Sequence, residues 1–186
     1  TEPEAVVAHF ALLDAEKAQR LERQLHGDGP FVYLARQLDG GALARAESRS
    51  FAGVFRHPET RRHYPQGRLA GQLLGYTNID NKGSEGVELA FEELMRGTKG
   101  TALITVDALG KQVPGSRKEG QKAEDGDSVV LTIDAVYQDI LEQELERAIQ
   151  NSEAEGGMGI ISDPRTGEIL AMANLPLYDP NRPASA

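Results

Sequence analysis

The sequence contains no cysteine and no tryptophan, and aromatic residues make up only 5% of it. Without cysteine there are no disulfides, no thiolate metal sites and no cysteine nucleophile, a composition that suits an export compartment. Positive charge is also scarce: 20 Lys and Arg stand against 29 Asp and Glu, for a net charge of -9. A binder of nucleic-acid phosphates concentrates cations on one face. Here the basic residues are scattered, with Arg61 and Arg62 the pair that stands out. No apolar run approaches the roughly 20 residues that span a bilayer, and no secretory signal opens the chain. The first residue is Thr1, not Met, so the sequence reads as a piece of something longer.

What is present suffices for folding. At 186 residues with 39% hydrophobic content, the chain fits one domain or one and a part, with a core of ordinary density. Asp14 reads as a helix N-cap, with Leu12 and Leu13 as staple residues and Ala18, Leu21 and Leu25 as the apolar stripe behind it, ending at Gly27. Alternation over Pro30 to Leu38 predicts a strand, and Asp39 a cap for a short helix through Ala46. Phe51 to Tyr64 reads as a strand interrupted at His57-Pro58, and Leu69, Leu73 and Leu74 as a short helix stopped by Gly75. SEGVELAFEELMRG places Val87, Phe91, Leu94 and Met95 at helical spacing before Gly97.

The following segment, TALITVDALGKQV, predicts a hairpin turned at Asp107 to Gly110, and Lys111 to Gly126 an exposed connection. DSVVLTID reads as a strand, after which Asp134 caps a long helix. Its expected buried face is Val136, Ile140, Leu141, Leu145, Ala148 and Ile149, leaving Gln138, Glu142, Glu146 and Gln150 to water. GMGIISD and GEILAMAN are predicted as two strands joined by PRTG, with Ile160, Ile169 and Met172 packing partly on that helix. Elements alternate without βαβ regularity, so the class is α+β.

Chemistry is hard to find in these residues. Glu85, Glu88, Glu92 and Glu93 lie on or near one helix, but their spacing sprays them around it. A carboxylate acid/base pair must instead converge on a cleft. His9, His26, His57 and His63 show no zinc spacing, and GTKG at Gly97 to Gly100 lacks the phosphate-loop pattern. The expectation is no catalytic, cofactor or metal residue. One group is more organised. RHYPQG couples Arg62 to Tyr64, Pro65 and Gly67, while GSEGVE places Glu88 just inside a helix after Gly83 and Gly86. Glycine permits positive φ or close backbone approach, and a helix start favours a carboxylate. An Arg62 to Glu88 contact locking the turn onto the helix would use all of these features, with the cation as the partly buried member. The plain alternative is an ordinary surface helix with solvated charges.

RHYPQGRLAGQLLGYTNIDNKGSEGVELAFEELMRGTKG resembles the RxYPxG and GxxGxE boxes in the non-catalytic, membrane-proximal module of class B penicillin-binding proteins. The resemblance continues through VDALGKQV, VVLTIDAVYQ and GMGIISDPRTGEILAMANLPLYDPN, the last being similar to the opening strands of the family's transpeptidase domain. It spans Arg62 to Asn181 and ties Arg62, Tyr64, Pro65, Gly67, Gly83, Gly86 and Glu88 to a structural, interdomain motif. TNIDNKGSEGVE looks closer to the division-specific subfamily than to the elongation one.

The resemblance implies a pedestal, or dimerisation, domain over residues 1–124 and the start of a transpeptidase domain over 125–186. The family's Ser-x-x-K nucleophile motif, in which lysine activates the serine, is absent from this sequence, as are Ser-x-Asn and Lys-Thr-Gly; Ser116-Arg-Lys-Glu is the nearest imitation. The family's RGxIxDR-like box and N-terminal membrane helix are missing too. The chain is therefore expected not to catalyse. Its parent would be a periplasmic, single-pass anchored D,D-transpeptidase acting on peptidoglycan stem peptides and acylated by β-lactams. Implied partners are a SEDS-type glycosyltransferase and divisome proteins. Alternatives are an elongation-type member, a free-standing periplasmic adaptor, and a small hydrolase using Glu85, Glu88 or Glu92.

Overall fold

The computed structural model describes residues 3–11, 15–27, 29, 31–105, 107, 113–116 and 118–183. The chain divides into two compact units, Thr1–Arg61 and Arg62–Ala186. The Asp14 cap, its Leu12–Leu13 staple and the hairpin turn at residues 108–110 lie outside the described residues.

The first unit is helical. α1 (Pro3–Ala11), α2 (Ala15–Leu25) and α3 (Gly40–Ala46) contribute Val6, Phe10, Leu21 and Ala46 to a small core. Asp39 caps α3 as its residue type dictates, its Oδ1 accepting from the Ala42 amide at 2.7 Å. Residues 31–38 form no strand. Val32 and Leu34 turn toward the helices while Phe31 and Tyr33 face water, so the alternation is real. It reports a two-sided environment, whereas a ladder also needs a partner strand, and none pairs here among the described residues. The stretch from Phe51 is likewise irregular, and Glu59 ties it to the 31–38 segment by accepting from the Arg36 side chain and the Gln37 amide.

In the second unit, α4 (Gly71–Leu74) stops at Gly75, and the helix expected over residues 84–97 is broken into α5 (Gly86–Ala90) and α6 (Glu92–Met95). Phe91, at φ -114 and ψ 18, is the joint. Apolar spacing registers only which face is covered, so it passes over a one-residue change of backbone. The hairpin that follows is wider than the sequence suggests. β1 (Ala102–Leu103) pairs antiparallel with β2 (Lys118–Glu119), and a further bridge joins Thr98 to Glu124. The polar stretch read as an exposed connection is in its latter half the returning strand. Polar side chains disguise such a strand because the ladder is carried by backbone groups.

α7 (Ala135–Ser152) starts where Asp134 accepts from the Val136 and Tyr137 amides at 2.8 and 3.2 Å. It packs on an antiparallel hairpin, β3 (Gly157–Ser162) and β4 (Ile169–Leu175), with Ile160 opposite Met172. The residues ahead of α7 form no strand, but they cover the outer edge of β4: the Asp134 amide donates to Leu170 O and the Thr132 hydroxyl to Ile169 O. At the tight turn, Arg165 pairs with Asp163 and holds its carboxyl below the usual carboxylate range.

The buried face of α7 is rotated from the one expected: Leu141, Leu145 and Ile149 pack as expected, but Val136, Ile140 and Ala148 are exposed. Gln138 is fully buried and Glu142 is 5% exposed, whereas Val136 and Ile140 are mostly in water. The packed stripe runs Gln138, Leu141, Glu142, Leu145, Ile149. Its polar members are admitted because each finds partners. The Gln138 side chain donates from Nε2 to Met172 O at 2.9 Å and accepts from the Met172 amide at 2.8 Å. The Glu142 carboxylate accepts from Gln138 Nε2 at 2.7 Å and from the Ala70 amide at 2.8 Å. Gln138 thereby completes the open edge of β4 as a strand residue would, and Glu142 fastens the helix to the start of α4. The apolar part of the stripe rests on glycines: a Cβ on Gly159 would come within 2.8 Å of Leu141 Cδ1. Ile160 and its cross-strand partner Met172, both expected against the helix, point the opposite way, and Ile160 is 62% exposed. The period of two was right; which face met the helix was decided by residue size, since Gly157, Gly159, Ala171 and Ala173 let a helix approach closely.

Candidate functional site

The RHYPQG and GSEGVE boxes meet. The turn is built first: Pro65 supplies the fixed φ favoured at its second position, and the Gly67 amide donates back to Tyr64 O at 3.1 Å with Gly67 at φ +60. Arg62, just before the turn, donates from Nε to Glu88 Oε1 at 2.7 Å, and its Nη2 lies 3.7 Å from Met95 Sδ. Tyr64 is buried beside this pair. Its hydroxyl, near Thr77 and Glu88, attains no well-formed hydrogen bond. Burial, and then the Glu88 charge, push the phenol above its ordinary range.

The second box is presented by a loop whose polar residues satisfy one another. Asn78 Oδ1 accepts from the Asp80 and Lys82 amides, the Asn78 amide donates to Lys82 O, and the Ser84 amide donates to Tyr76 O. Gly86 sits at φ +59 with its missing side chain directed at the carbonyl of Leu73, so the start of α5 lies directly on α4. A Cβ at Gly83 would run into the Glu88 carbonyl. Both glycines are therefore required by contact, and together they set Glu88 at the third helical position facing Arg62.

The members of the ion pair are unequally buried. The Glu88 side chain is 9% exposed and that of Arg62 49%, so the carboxylate, not the cation, is the buried partner. The expectation of a partly buried cation is corrected on this point: a long side chain reaches the site through its stem and leaves part of its head in water.

Glu92 and Glu85 are held in structural contacts. Glu92 Oε2 accepts from the Gly83 amide at 2.8 Å, closing the loop onto the helix. Glu85 Oε2 accepts from the Tyr178 hydroxyl at a long 3.4 Å. Burial, followed by the Glu85 charge, pushes Tyr178 up to about 12. A depression of about 440 Å³ lies nearby, lined by Gln72, Leu73, Gly86, Val87, Ala90, Met172 and Asn174, none of them titratable in the ordinary range. Among the described residues no group of three His, Asp or Glu is placed to hold a metal ion. The contacts fix these chain segments relative to one another, and among the described residues of the site no nucleophile is paired with a base.

Sequence reasoning passed over three residues that complete this platform: Gln138, Glu142 and Asn181. The first two were assigned to solvent by polarity. Asn181 follows a proline in a turn-like run, which signals a local turn and says nothing of a partner far away in sequence.

Residues 3–131 match the penicillin-binding protein dimerisation domain. The chain belongs to the class B penicillin-binding proteins. It is 36% identical over 157 residues to the probable peptidoglycan D,D-transpeptidase PenA of Neisseria meningitidis, covering 84% of this chain and 27% of that protein. It is also 36% identical over 154 residues to the peptidoglycan D,D-transpeptidase FtsI of Escherichia coli, covering 82% and 26%. The crystal structure of a peptidoglycan synthetase from Bifidobacterium adolescentis superposes with a TM-score of 0.61 at 26% identity, over 94% of this chain and 32% of that one. The chain thus spans about a quarter of the length of the curated relatives it matches.

Proposed function

We propose that this chain is the pedestal of a peptidoglycan D,D-transpeptidase of cell division, with residues 1–124 as the non-catalytic domain and 125–186 as the opening of the transpeptidase domain. The observation that carries this is the Arg62–Glu88 platform. It joins the two boxes that mark the pedestal and sits in one unit with α7 and the β3–β4 hairpin. Such a platform holds and orients. Its site residues Arg62, Tyr64, Pro65, Gly67, Gly83, Gly86 and Glu88 act by geometry, and the acylatable serine belongs to a longer parent. That parent is anchored in the cytoplasmic membrane with this module on the periplasmic side. It cross-links peptidoglycan stem peptides, is acylated by β-lactams, and offers pedestal surfaces to a SEDS-type glycosyltransferase and divisome proteins. The division role is supported by the similarity to FtsI.

Two measurements test it. The coding sequence downstream of Ala186 should contain a Ser-x-x-Lys triplet spacing within a short distance; a stop codon at once would favour a free-standing adaptor. Fluorescent penicillin should label the longer product covalently and leave the 186-residue chain unlabelled, since no serine in it has a lysine three positions on. A labelled serine within residues 1–186 would refute the proposal.

A further inference from the structure

The platform grips a second segment besides the Arg62–Glu88 pair. After β4 the chain runs from Pro176 to Asn181 without regular structure, and side chains hold it. Asn181 makes the two contacts that a neighbouring strand would make: the Tyr64 amide donates to its Oδ1 at 3.0 Å, and its Nδ2 donates to Tyr64 O at 2.9 Å. Asp179 aims it, Oδ1 accepting from both the Asn181 amide and Asn181 Nδ2 at 2.9 Å. The side-chain nitrogen meets two acceptors and the oxygen meets a donor, so a single orientation of the amide satisfies the whole network. Aspartate has the same shape but cannot satisfy it, because it would set a second carboxylate against Asp179 and the Tyr64 carbonyl.

Two more contacts fix the same segment. Gln72 Nε2 donates to Pro176 O at 2.7 Å, and the Tyr178 carbonyl lies where a Cβ on Gly71 would come within 2.5 Å of it. Pro180 is buried. An irregular stretch held at both ends by α4 and the RHYPQG turn has its exit point and direction set by the platform.

We propose that Asn181 is a positioning residue of the transpeptidase reaction: it latches the segment leaving the β3–β4 hairpin onto the backbone of Tyr64, and so sets where the chain carrying the nucleophile begins. This rests on the proposed function above.

The experiment has two arms. In the 186-residue chain, residue-resolved hydrogen exchange at neutral pH should show the Tyr64 amide exchanging about tenfold faster in both Asn181→Ala and Asn181→Asp, the loss expected for one hydrogen bond of ordinary net strength. Unchanged protection in Asn181→Asp would mean that shape alone matters and would overturn the latch. In the longer natural chain, the rate constant for acylation by fluorescent penicillin should fall about tenfold in the same variants while non-covalent affinity for the antibiotic stays the same. Acylation at the unsubstituted rate would overturn the positioning role. A longer chain that is not acylated even without substitution would instead refute the transpeptidase assignment, and with it the positioning role, leaving exchange at Tyr64 to decide the latch by itself.

Discussion

Replacing Arg62 by alanine should destabilise this protein more than replacing Glu88, although the two form one ion pair. The difference lies in burial. Removing one member of a buried pair costs roughly 3–5 kcal/mol because the other charge is left without partner or water, whereas an exposed pair is worth about 0–1 kcal/mol. Arg62→Ala strands a carboxylate whose side chain is only 9% exposed. Water can enter through the space that the half-exposed guanidinium vacates, which moderates the penalty to roughly 2–3 kcal/mol. Glu88→Ala leaves a cation that is 49% exposed and free to turn outward, for roughly 1–2 kcal/mol. The double mutant should fall short of the sum by about 1 kcal/mol. Arg62→Lys should recover part of the loss: it keeps the charge but not the guanidinium Nε that lies 2.7 Å from Oε1. With no tryptophan in the chain, urea unfolding is best followed by far-UV circular dichroism. The Arg62→Ala transition should move down by roughly 5–10 °C in a thermal scan. A loss below about 0.5 kcal/mol, or a larger loss in Glu88→Ala, would refute the reasoning from unequal burial.

Glu142→Ala should cost about 1–3 kcal/mol, because it leaves the Ala70 amide without its acceptor and takes from Gln138 Nε2 one of its two, while Glu142→Gln, which keeps an acceptor, should cost less than about 1. Equal urea midpoints for the two variants would contradict this. Tyr178 is raised to about 12 in the folded protein, so the fold favours its neutral form. The stability it contributes is fully present below its unfolded value of about 10 and is lost as pH rises from there toward 12. Tyr178→Phe should flatten that alkaline decline, and an unchanged slope would argue against it. The outer face of β3 exposes Met158 at 79% and Ile160 at 62%. Sedimentation should therefore show concentration-dependent association of the 186-residue chain that Ile160→Lys abolishes; a strict monomer at high concentration would count against an adhesive edge.

Local chemistry was legible in the sequence wherever a few neighbouring residues decide the outcome. Asp39 and Asp134 announced their helices because a cap needs only its own side chain and the next turn's amides. Gly167 ended the tight turn at φ +78 between two strands of visible alternation. The RHYPQG and GSEGVE boxes carried the family, since each residue type there meets a demand of turn, close approach or charge. Tertiary structure decided the rest. Alternation over residues 31–38 could not say whether a partner strand was at hand, and the polar residues 118–124 concealed one that was. Polarity sent Gln138 and Glu142 to solvent, but a polar group can be buried where its hydrogen bonds are met, and here they are met by Met172 and Ala70, far away along the chain. Asn181 reaches Tyr64 for the same reason. A sequence states which groups need partners, and only the folded chain brings those partners within 3 Å.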